Sequence, residues 1–475
     1  MFNSSFTFSC ISGSQSLFML IKHVFANFMG KSVSVILSFI CTPFYLYFLG
    51  IESYGLIGVF YTLMAALGMF SFGLTSVITR EMAFLEKEKQ QKLLGTFECI
   101  YAALGTLVVL VFMLFPPFHL EGSLMLLMAG SIAFQLLYCL YDAALMGVQR
   151  QLLANILNSV FAILRFLGAL FILWFISPTA ESFFIWQLII TFFQAVIFRG
   201  FAYPKFYFSL ALLKERRALL FESSGTSFLA QMITQADKVI LSKLLSLEFF
   251  GYYWLATSIC NAISYFVFPV TQAFYPSFSE YFASKDFKTL KESYTFGSHL
   301  IALFVLPLGL FISFFAKDIL FVWTRDILIA EQACKVLILL SVAKMFEGLI
   351  QLPWVLTFAY GSRKTILYQQ GISFVLLVPL LMWSTTSFGA EGASFVLVLL
   401  YASYFFIGLP FIHKEIQIAQ NKIALPFLGA LSICFLCKCI LPPNNLLSLF
   451  TAFGLALACS FLLIPFSRKW LATKR

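Results

Sequence analysis

The sequence predicts an all-α integral membrane protein that crosses the bilayer many times. Of its 475 residues, 61% are hydrophobic and 11% are charged, against roughly 45–50% and about 25% in soluble domains. The mean hydropathy is +0.93. These values exclude a soluble enzyme and a disordered chain, since disorder requires low hydrophobicity and high charge. At about 20 apolar residues per spanning helix plus a short connection, the chain has room for about fourteen helices and no large soluble domain.

The apolar runs are long and unbroken, which distinguishes them from the alternating strands of an outer-membrane barrel. Leu107–Phe118 and Val375–Trp383 are examples. We place the predicted spans, in chain order, at 26–49, 54–77, 95–118, 123–147, 154–176, 182–199, 219–245, 250–275, 296–316, 332–355, 366–386, 391–410, 424–441 and 446–466.

The positive charges support this helix count and indicate an orientation. If both termini are cytoplasmic, most of the 31 Lys and Arg residues fall in cytoplasmic segments, as the positive-inside rule requires. The outside segments hold or border Lys243, Lys317, Arg325 and Lys438. Four further cations fall within spans, namely Arg165, Lys238, Lys335 and Lys344. The distribution of these charges therefore predicts that both termini are cytoplasmic. The net charge of +10 reflects this cytoplasmic excess, and we predict no nucleic-acid partner.

No cofactor is predicted. The ten cysteines mostly lie in apolar segments and are typical of small buried hydrophobic residues. Cys434 and Cys437 form a CxxC pair inside a predicted span, without a histidine or a second pair nearby. There is no P-loop and no metal-binding cluster, so ATP hydrolysis by this chain is excluded as an interpretation.

The chain divides at a basic cytoplasmic connection, 200–218, which six spans precede and eight follow. We predict a cytoplasmic N-terminal segment (1–25), an N-lobe of six helices (26–199), this connection, a C-lobe of six helices (219–410), and a final region with helices 13 and 14 and a basic cytoplasmic tail (411–475).

A short internal repeat supports the two lobes. Leu49–Gly55 reads LGIESYG and Leu245–Gly251 reads LSLEFFG, so Leu, Glu, an aromatic residue and Gly recur at one offset. Both copies lie between the first and second helix of their lobe. Because an even number of helices separates them, the two lobes insert with the same orientation, which predicts a parallel pseudo-two-fold axis along the membrane normal.

Polar residues follow one face of the predicted seventh helix at steps of three and four. They are Ser224, Ser227, Gln231, Thr234, Gln235, Lys238 and Ser242. Such a stripe cannot face lipid, where each unpaired polar group costs several kcal/mol. It either bonds neighbouring helices or lines a hydrated cavity. Asp237 lies about 100° around the helix from Lys238, so we expect that it does not simply neutralise this lysine and that it pairs with another helix.

Three other helices carry polar residues within their spans. On helix 10, Lys344 and Glu347 are three apart and are expected to form an intrahelical ion pair beside Ser341 and Gln351. Helix 5 carries Asn155, Asn158 and Arg165, and helix 4 carries Gln135 and Asp142. A charge as deep as Arg165 costs at least ~2.5–3.5 kcal/mol unless it faces water or a partner. Candidates for binding H⁺ or Na⁺ are Asp237, Glu222, Asp142 and Glu347.

A scattered set of residues resembles the Wzx-type polysaccharide flippases. The set is Asn27, Gly30, Lys31, Pro43, Gly50, Glu52, Tyr54, Gly55, Gly73, Arg80, Glu81, Gly147–Arg150, Asn155, Arg165, Asp237, Gly251 and Tyr252. It covers most of the chain up to about residue 330, with Arg80 and Glu81 as the motif at the cytoplasmic end. Beyond this point the likeness is mainly one of hydropathy.

The resemblance implies a MATE-like fold, with two six-helix bundles around a central cavity and two further C-terminal helices. It implies a bacterial cytoplasmic (inner) membrane protein that flips undecaprenyl-diphosphate-linked oligosaccharide repeat units for O-antigen, lipopolysaccharide or capsule synthesis. Its expected partners are this lipid-linked substrate, membrane lipids, a coupling ion (H⁺ or Na⁺), and polysaccharide polymerase and chain-length proteins. We predict a substrate cavity lined by Asn158, Arg165, Gln231, Gln235, Lys238, Lys344 and Glu347.

Three alternatives remain open. A drug or cation antiporter of the same superfamily favours acidic and aromatic cavities, whereas Arg165, Lys238 and Lys344 favour a diphosphate or an acidic sugar. A lipid II flippase typically carries several charges in its first helix, which has none here after Lys31. A membrane glycosyl polymerase needs a sizeable outside loop, and the outside loops predicted here are short.

Overall fold

The computed structural model describes residues 13–114, 122–205, 207–209, 229, 231–360, 363–410 and 454. Among these residues all regular structure is helical and no strand occurs, which confirms the all-α prediction. Eight of the described helices are long and apolar enough to cross a membrane, by length and composition. Apart from Gly454, the predicted spans 13 and 14 lie outside the described residues, so the count of about fourteen stays a prediction.

The first part of the chain forms five helices, α1 (Gly13–Phe84), α2 (Lys87–Leu114), α3 (Gly122–Gly147), α4 (Gln151–Phe175) and α5 (Ala180–Ala202). α1 contains the first two predicted spans, and its helical geometry is broken between them at Gly50 (φ 73°, ψ 172°). α2 begins earlier than the predicted span because its first two turns are strongly polar, and a search for apolar runs does not detect them.

The second part forms α6 (231–244), α7 (Leu247–Ala283), α8 (Phe287–Phe314), α9 (Ala316–Thr324), α10 (Ile327–Ala359) and α11 (Arg363–Ser403), which continues into a π-helical turn, Tyr404–Gly408. α11 is broken at Gly389 (φ 62°), between the predicted spans 11 and 12. Nearly all of α9 lies between the predicted spans 296–316 and 332–355, in a segment that was predicted to be an outside loop. This helix is too short to span, so hydropathy alone could not predict it.

The helices pack into two compact units. The first unit contains the chain up to Phe44 and Phe70–Ser224, and the second contains Tyr45–Met69 and the chain from Gly225 onward. Tyr45–Met69, which lies within the predicted N-lobe, therefore packs with helices of the second unit. The lobe boundaries that we predicted from the sequence stay a prediction.

Each unit has an apolar interior and an apolar exterior. In the first unit, Phe97, Tyr101, Leu140, Tyr141 and Phe198 are buried together. Conversely, aromatic residues near the end of α4 point outward, and Trp174 remains 60% exposed. Large apolar side chains on the outside are expected where lipid rather than water surrounds the helices.

α10 is the central helix of the second unit. It packs against α7, α8, α9 and α11, and its buried face includes Leu337, Leu340 and Leu352. A helix surrounded by protein can carry polar groups that a lipid-facing helix cannot. This position explains how α10 accommodates Lys344 and Glu347, whereas Glu331 and Lys335 are exposed near its start.

The two copies of the internal repeat have the same local environment. Glu52 and Glu248 are both exposed, whereas Tyr54 and Phe250 are both buried. Gly50 interrupts α1 immediately before Ile51, and Ser246, at the equivalent place in the second copy, caps the N-terminus of α7 before Leu247. Each copy therefore starts a new helix at the same position of the repeat.

The two copies also pack directly against each other within the second unit. A Cβ atom added to Gly55 would overlap the carbonyl oxygen of Leu247, and a Cβ atom added to Gly251 would overlap the carbonyl oxygen of Ile51. Because each repeat contributes the same two positions, the contact is isologous, like that of a two-fold dimer. The two glycines occupy the same position of the repeat, and at this position the backbones of the two helices cross in direct contact.

Candidate functional site

Buried and half-buried polar side chains that include predicted site residues lie together as a group in each unit. We call the first the amide network, which consists of Gln135, Tyr138, Asp142, Asn158, Arg165 and Gln194 on α3, α4 and α5. We call the second the ion-pair cluster, which consists of Asp237, Lys238, Tyr253, Lys344 and Glu347 on α6, α7 and α10.

Arg165 is the cation of the amide network. It lies about 21 Å along α4 from Gln151, at ~1.5 Å per residue, and therefore near the middle of the helix. Its Nη2 donates to the side-chain oxygen of Gln194 at 2.7 Å and to that of Gln135 at 3.4 Å. Its Nε is buried and has no hydrogen-bond partner among the described residues. The guanidinium therefore has an unused donor.

Asn158 connects the rest of the amide network. Its amide nitrogen donates to Asp142 Oδ1 at 3.1 Å, while its oxygen accepts from Tyr138 at 2.8 Å and from Gln194 at 3.4 Å. Asp142 is thus linked to Arg165 through two intervening amides, Asn158 and Gln194. Of the predicted site residues, Asn158, Arg165 and Asp142 are brought together here.

Sequence analysis missed the contribution of α5. Gln187, Thr191 and Gln194 are all buried and lie at i, i+4 and i+7, which places them on one face of the helix. The side-chain nitrogen of Gln187 has no hydrogen-bond partner among the described residues. Their helical spacing was the available signal. It was easy to overlook because these three residues and Ser182 are the uncharged polar side chains of an otherwise apolar span.

The ion-pair cluster begins with two adjacent residues of α6. Lys238 Nζ lies 3.1 Å from both carboxylate oxygens of Asp237 and donates to the carbonyl oxygen of Thr234 at 2.9 Å. Asp237 also accepts a hydrogen bond from Tyr253 on α7. The expectation that Asp237 does not simply neutralise Lys238 was wrong, whereas Tyr253 is a partner on another helix, as expected. The angle between the Cα positions of Asp237 and Lys238 was right, but the long lysine stem folds back along the helix.

Lys344 and Glu347 form the expected intrahelical ion pair on α10. Lys344 Nζ lies 2.6 Å from Glu347 Oε2. The charge of the Glu347 carboxylate is therefore neutralised within its own helix.

A small cavity of about 30 Å³ separates these two ion pairs. Asp237, Lys238, Lys344 and Glu347 line it together with Tyr253 and Tyr401. A cavity needs roughly 10–15 Å³ to hold one water molecule. The cluster therefore has room for a water molecule or a dehydrated ion and no room for a sugar.

The remaining predicted site residues lie apart from these contacts. Gln231 accepts from Thr234 of its own helix at 2.9 Å, and Gln235 is half-buried. At the predicted cytoplasmic end, Arg80 is exposed and Glu81 is buried. Glu222 lies outside the described residues. The part of the chain that the structure describes contains no group of three or more His, Cys, Asp or Glu side chains that could hold a metal ion.

Comparison with known families gives two matches. The family model described as "Polysaccharide biosynthesis protein" matches residues 20–282, which is more than half of the chain. A second family model, MatE, matches residues 223–383. Among individual curated proteins, none matches this sequence.

Several solved structures share the fold at low sequence identity. A lipid II flippase, MurJ, in an inward closed conformation has a TM-score of 0.77 and 16% identity, with 95% of this chain and 100% of that chain covered. An inward-facing MATE family multidrug resistance transporter of the MOP superfamily has a TM-score of 0.67 and 13% identity, covering 81% of this chain and 94% of that one. A mutant of the Vibrio cholerae MATE transporter VcmN has a TM-score of 0.61 and 15% identity, covering 84% and 98%.

Proposed function

This chain belongs to the polysaccharide biosynthesis protein family, and from this premise we propose that it is a lipid-linked oligosaccharide flippase. Its substrate is an undecaprenyl-diphosphate-linked repeat unit, carried across the bacterial cytoplasmic membrane by alternating access. The product supplies O-antigen, lipopolysaccharide or capsule synthesis, and polymerase and chain-length proteins act on it afterwards. The chain itself transports and catalyses no covalent step.

The observation that carries this proposal is the difference between Arg165 and the other three cations in predicted spans. Lys238 contacts Asp237, Lys344 contacts Glu347, and Lys335 lies 3.4 Å from Glu391. Arg165, by contrast, forms no ion pair within the described residues and is held by two neutral glutamines. A charge placed at this depth without a carboxylate favours an anionic ligand, because it otherwise costs at least ~2.5–3.5 kcal/mol.

The diphosphate of the substrate suits this arrangement. A guanidinium presents a planar fork of donors that matches two phosphate oxygens, and it is always charged. Gln135 and Gln194 hold one end of the fork, so the rotamer is restricted before the ligand arrives. The buried Nε, which has no partner among the described residues, is the donor that a phosphate oxygen would occupy.

Amide side chains suit the sugars. Asn and Gln both donate and accept hydrogen bonds, as do sugar hydroxyls. Gln187 and Asn158 lie in the same unit as Arg165, on α5 and α4. These groups form a polar environment for the oligosaccharide, while the polyprenyl tail remains in the lipid.

The ion-pair cluster is the proposed site of coupling to H⁺ or Na⁺. Its carboxylates, Asp237 and Glu347, face a cavity of water-like size. A proton or Na⁺ that enters this cavity changes the charge balance of both ion pairs. Such a change favours one conformation over another only if the ion binds the two with different affinity.

The experiment that tests this function uses the purified protein in liposomes with a fluorescent undecaprenyl-diphosphate oligosaccharide. We expect Arg165→Ala to lower the flipping rate about 10- to 100-fold, since a hydrogen bond to a charged group contributes ~1.5–3 kcal/mol. Arg165→Lys retains the charge but not the fork and should keep part of the activity.

Lys335→Ala is the matched control, because this variant also removes a cation from a predicted span, but one that is exposed and paired with Glu391. Its flipping rate should be that of the unchanged protein. If Arg165→Ala flips at the normal rate with normal protein levels, the proposed role of Arg165 is wrong. If the unchanged protein moves no lipid-linked sugar, the proposed function is wrong.

A second candidate is a lipid II flippase, and it is favoured by the full-length structural match to MurJ. Lipid II also carries an undecaprenyl diphosphate, so Arg165 suits both substrates. The same liposomes with fluorescent lipid II distinguish the two. A drug or cation antiporter is distinguished by uptake of a cationic dye, which the cation Arg165 disfavours.

A further inference from the structure

The first unit has a cavity at the end where its helices are connected. It has a volume of about 490 Å³, within the ~300–1,000 Å³ range of ligand pockets. Met82, Leu145 and Gly147 form an apolar floor, while Lys87, Gln149 and Arg150 provide polar side chains. This end is the one that the positive charges predict to be cytoplasmic. The cavity shares no lining residue with the amide network or the ion-pair cluster.

The charge of this cavity is entirely positive. Lys87 and Arg150 line it, and none of the lining residues is acidic. Neither cation forms an ion pair within the described residues. The two glutamates on either side of Lys87 have other partners, since Glu86 lies 3.8 Å from Lys89 and Glu88 lies 2.9 Å from Lys92. The positive charge of the cavity is therefore available to a ligand.

Two hydrogen bonds hold the walls of the cavity, one at the turn between α1 and α2 and one between α2 and the segment after α5. Gln90 Nε2 donates to the carbonyl oxygen of Met82 at 2.7 Å, which fixes the turn between α1 and α2. Lys205, which follows α5, donates its backbone N–H to the carbonyl oxygen of Gln91 at 3.4 Å. Hydrogen bonds of the chain itself therefore connect the segments that line the cavity.

Two lining residues have backbone conformations that non-glycine residues rarely adopt. Gln149 (φ 61°) and Tyr203 (φ 49°) are both left-handed. Such conformations cost of order 1–3 kcal/mol each and concentrate at ligand-binding sites. Here they direct the connection between α3 and α4, and the one after α5, around the cavity.

We propose that this cavity binds a phosphate-ester anion between Lys87 and Arg150. Basic pockets between helices at the cytoplasmic surface bind the head groups of anionic lipids, and the guanidinium of Arg150 can bind phosphate with two donors. The apolar floor accommodates the carbon atoms attached to the phosphate. The same phosphate chemistry is found in an anionic phospholipid and in a soluble diphosphate, and the test separates these sources.

The test uses the full-length protein in phosphatidylcholine nanodiscs. Binding of soluble pyrophosphate is measured by calorimetry, and retention of phosphatidylglycerol is measured by native mass spectrometry. We expect Lys87→Gln and Arg150→Gln each to weaken binding about fivefold, and the double variant about 25-fold, from the typical contribution of a Lys or Arg to binding anionic lipid. Saturable pyrophosphate binding identifies a soluble ligand, and phosphatidylglycerol retention alone identifies a lipid.

Two further variants test the position of the site. Lys89→Gln combined with Lys285→Gln removes two exposed cations that do not line the cavity, and we expect affinity to stay within about twofold. Ala83→Phe narrows the cavity at an exposed lining position and should weaken binding with both cations present. Equal weakening by the control pair, or no saturable binding of either probe, would overturn the proposal. Both readouts are independent of transport.

Discussion

The amide network and the ion-pair cluster are both buried polar groups within helices, but they hold their charges differently. In the amide network, Arg165 and Asp142 are separated by the amides of Gln194 and Asn158. In the ion-pair cluster, each cation directly contacts a carboxylate, at 3.1 Å for Lys238 and 2.6 Å for Lys344.

This difference indicates two kinds of response. Neutral amides orient the guanidinium without cancelling its charge, so a ligand anion meets a preformed positive site. Direct ion pairs cancel their own charge, so they respond to a proton or small cation rather than to a large anion. The first arrangement suits substrate binding and the second suits coupling, which are the roles that we propose for them.

We expect the largest effect when one member of an ion pair is removed and the other remains. Glu347→Leu leaves Lys344 buried next to Asp237 and Lys238 without its partner, and removing one member of a buried pair costs ~3–5 kcal/mol. We therefore expect a large loss of thermal stability in detergent. The double variant Lys344→Met/Glu347→Leu removes both charges and should recover most of that loss. If the double variant is as unstable as the single one, the unpaired charge of Lys344 is not the cause of the lost stability.

The corresponding change in the amide network should cost less. Arg165→Met removes the donor to the side-chain oxygens of Gln135 and Gln194. Because these direct partners are neutral, neither is left as an unpaired charge. Unsatisfied neutral groups cost about 1–3 kcal/mol each when fully buried, and both glutamines can rotate toward other partners. A loss of stability for Arg165→Met equal to that for Glu347→Leu would remove the distinction between the two networks.

A smaller effect compares two tyrosines. Tyr253 donates to the carboxylate of Asp237, and Tyr138 donates to the amide oxygen of Asn158 at 2.8 Å. Hydrogen bonds to charged groups contribute ~1.5–3 kcal/mol and neutral ones about 0.5–1.5 kcal/mol. Tyr253→Phe should therefore lower the free energy of unfolding more than Tyr138→Phe. Each variant is the control for the other, because both remove one hydroxyl and leave the ring in place. The reverse order would show that the hydrogen bond to Asp237 is not the stronger of the two.

The smallest effect distinguishes the two glutamines that hold Arg165. Gln194 accepts from the guanidinium at 2.7 Å and Gln135 at 3.4 Å. The longer contact is close to the limit of a hydrogen bond, so Gln135→Leu should change flipping less than Gln194→Leu. Equal rates for the two variants, measured in the same liposomes, would show that the orientation of Arg165 does not depend on Gln194.

The sequence predicted the helices better than the contacts. Long apolar runs identify spans because each must match the bilayer, and the ion pair of Lys344 and Glu347 follows from helical spacing alone. The short helix α9 and the polar start of α2 carry no such signal. Hydropathy detects segments that are apolar over the thickness of a bilayer, and these two segments are too short or too polar to be detected in this way.

The partners of the buried charges depend on rotamers and on packing between helices. The contact of Asp237 with Lys238 was not expected, because helical spacing gives only Cα directions and the fold-back of Lys238 is a property of its four-carbon stem. The contact of Arg165 with Gln194 joins residues on two helices, α4 and α5. Periodicity places each on a helix face, but it does not determine which faces meet.

The crossing of Gly55 and Gly251 has a mechanical consequence. Side chains between two helices can change rotamer when one helix moves slightly. A contact made of side chains therefore tolerates small displacements. The contact at this crossing is backbone against backbone, with the Leu247 and Ile51 carbonyl oxygens where Cβ atoms would be. Any shift of the segment after Gly50 must therefore either be transmitted to α7 or separate the two helices. A glycine at each of the two positions is therefore the requirement for this direct transmission, because any Cβ atom would push the two backbones apart.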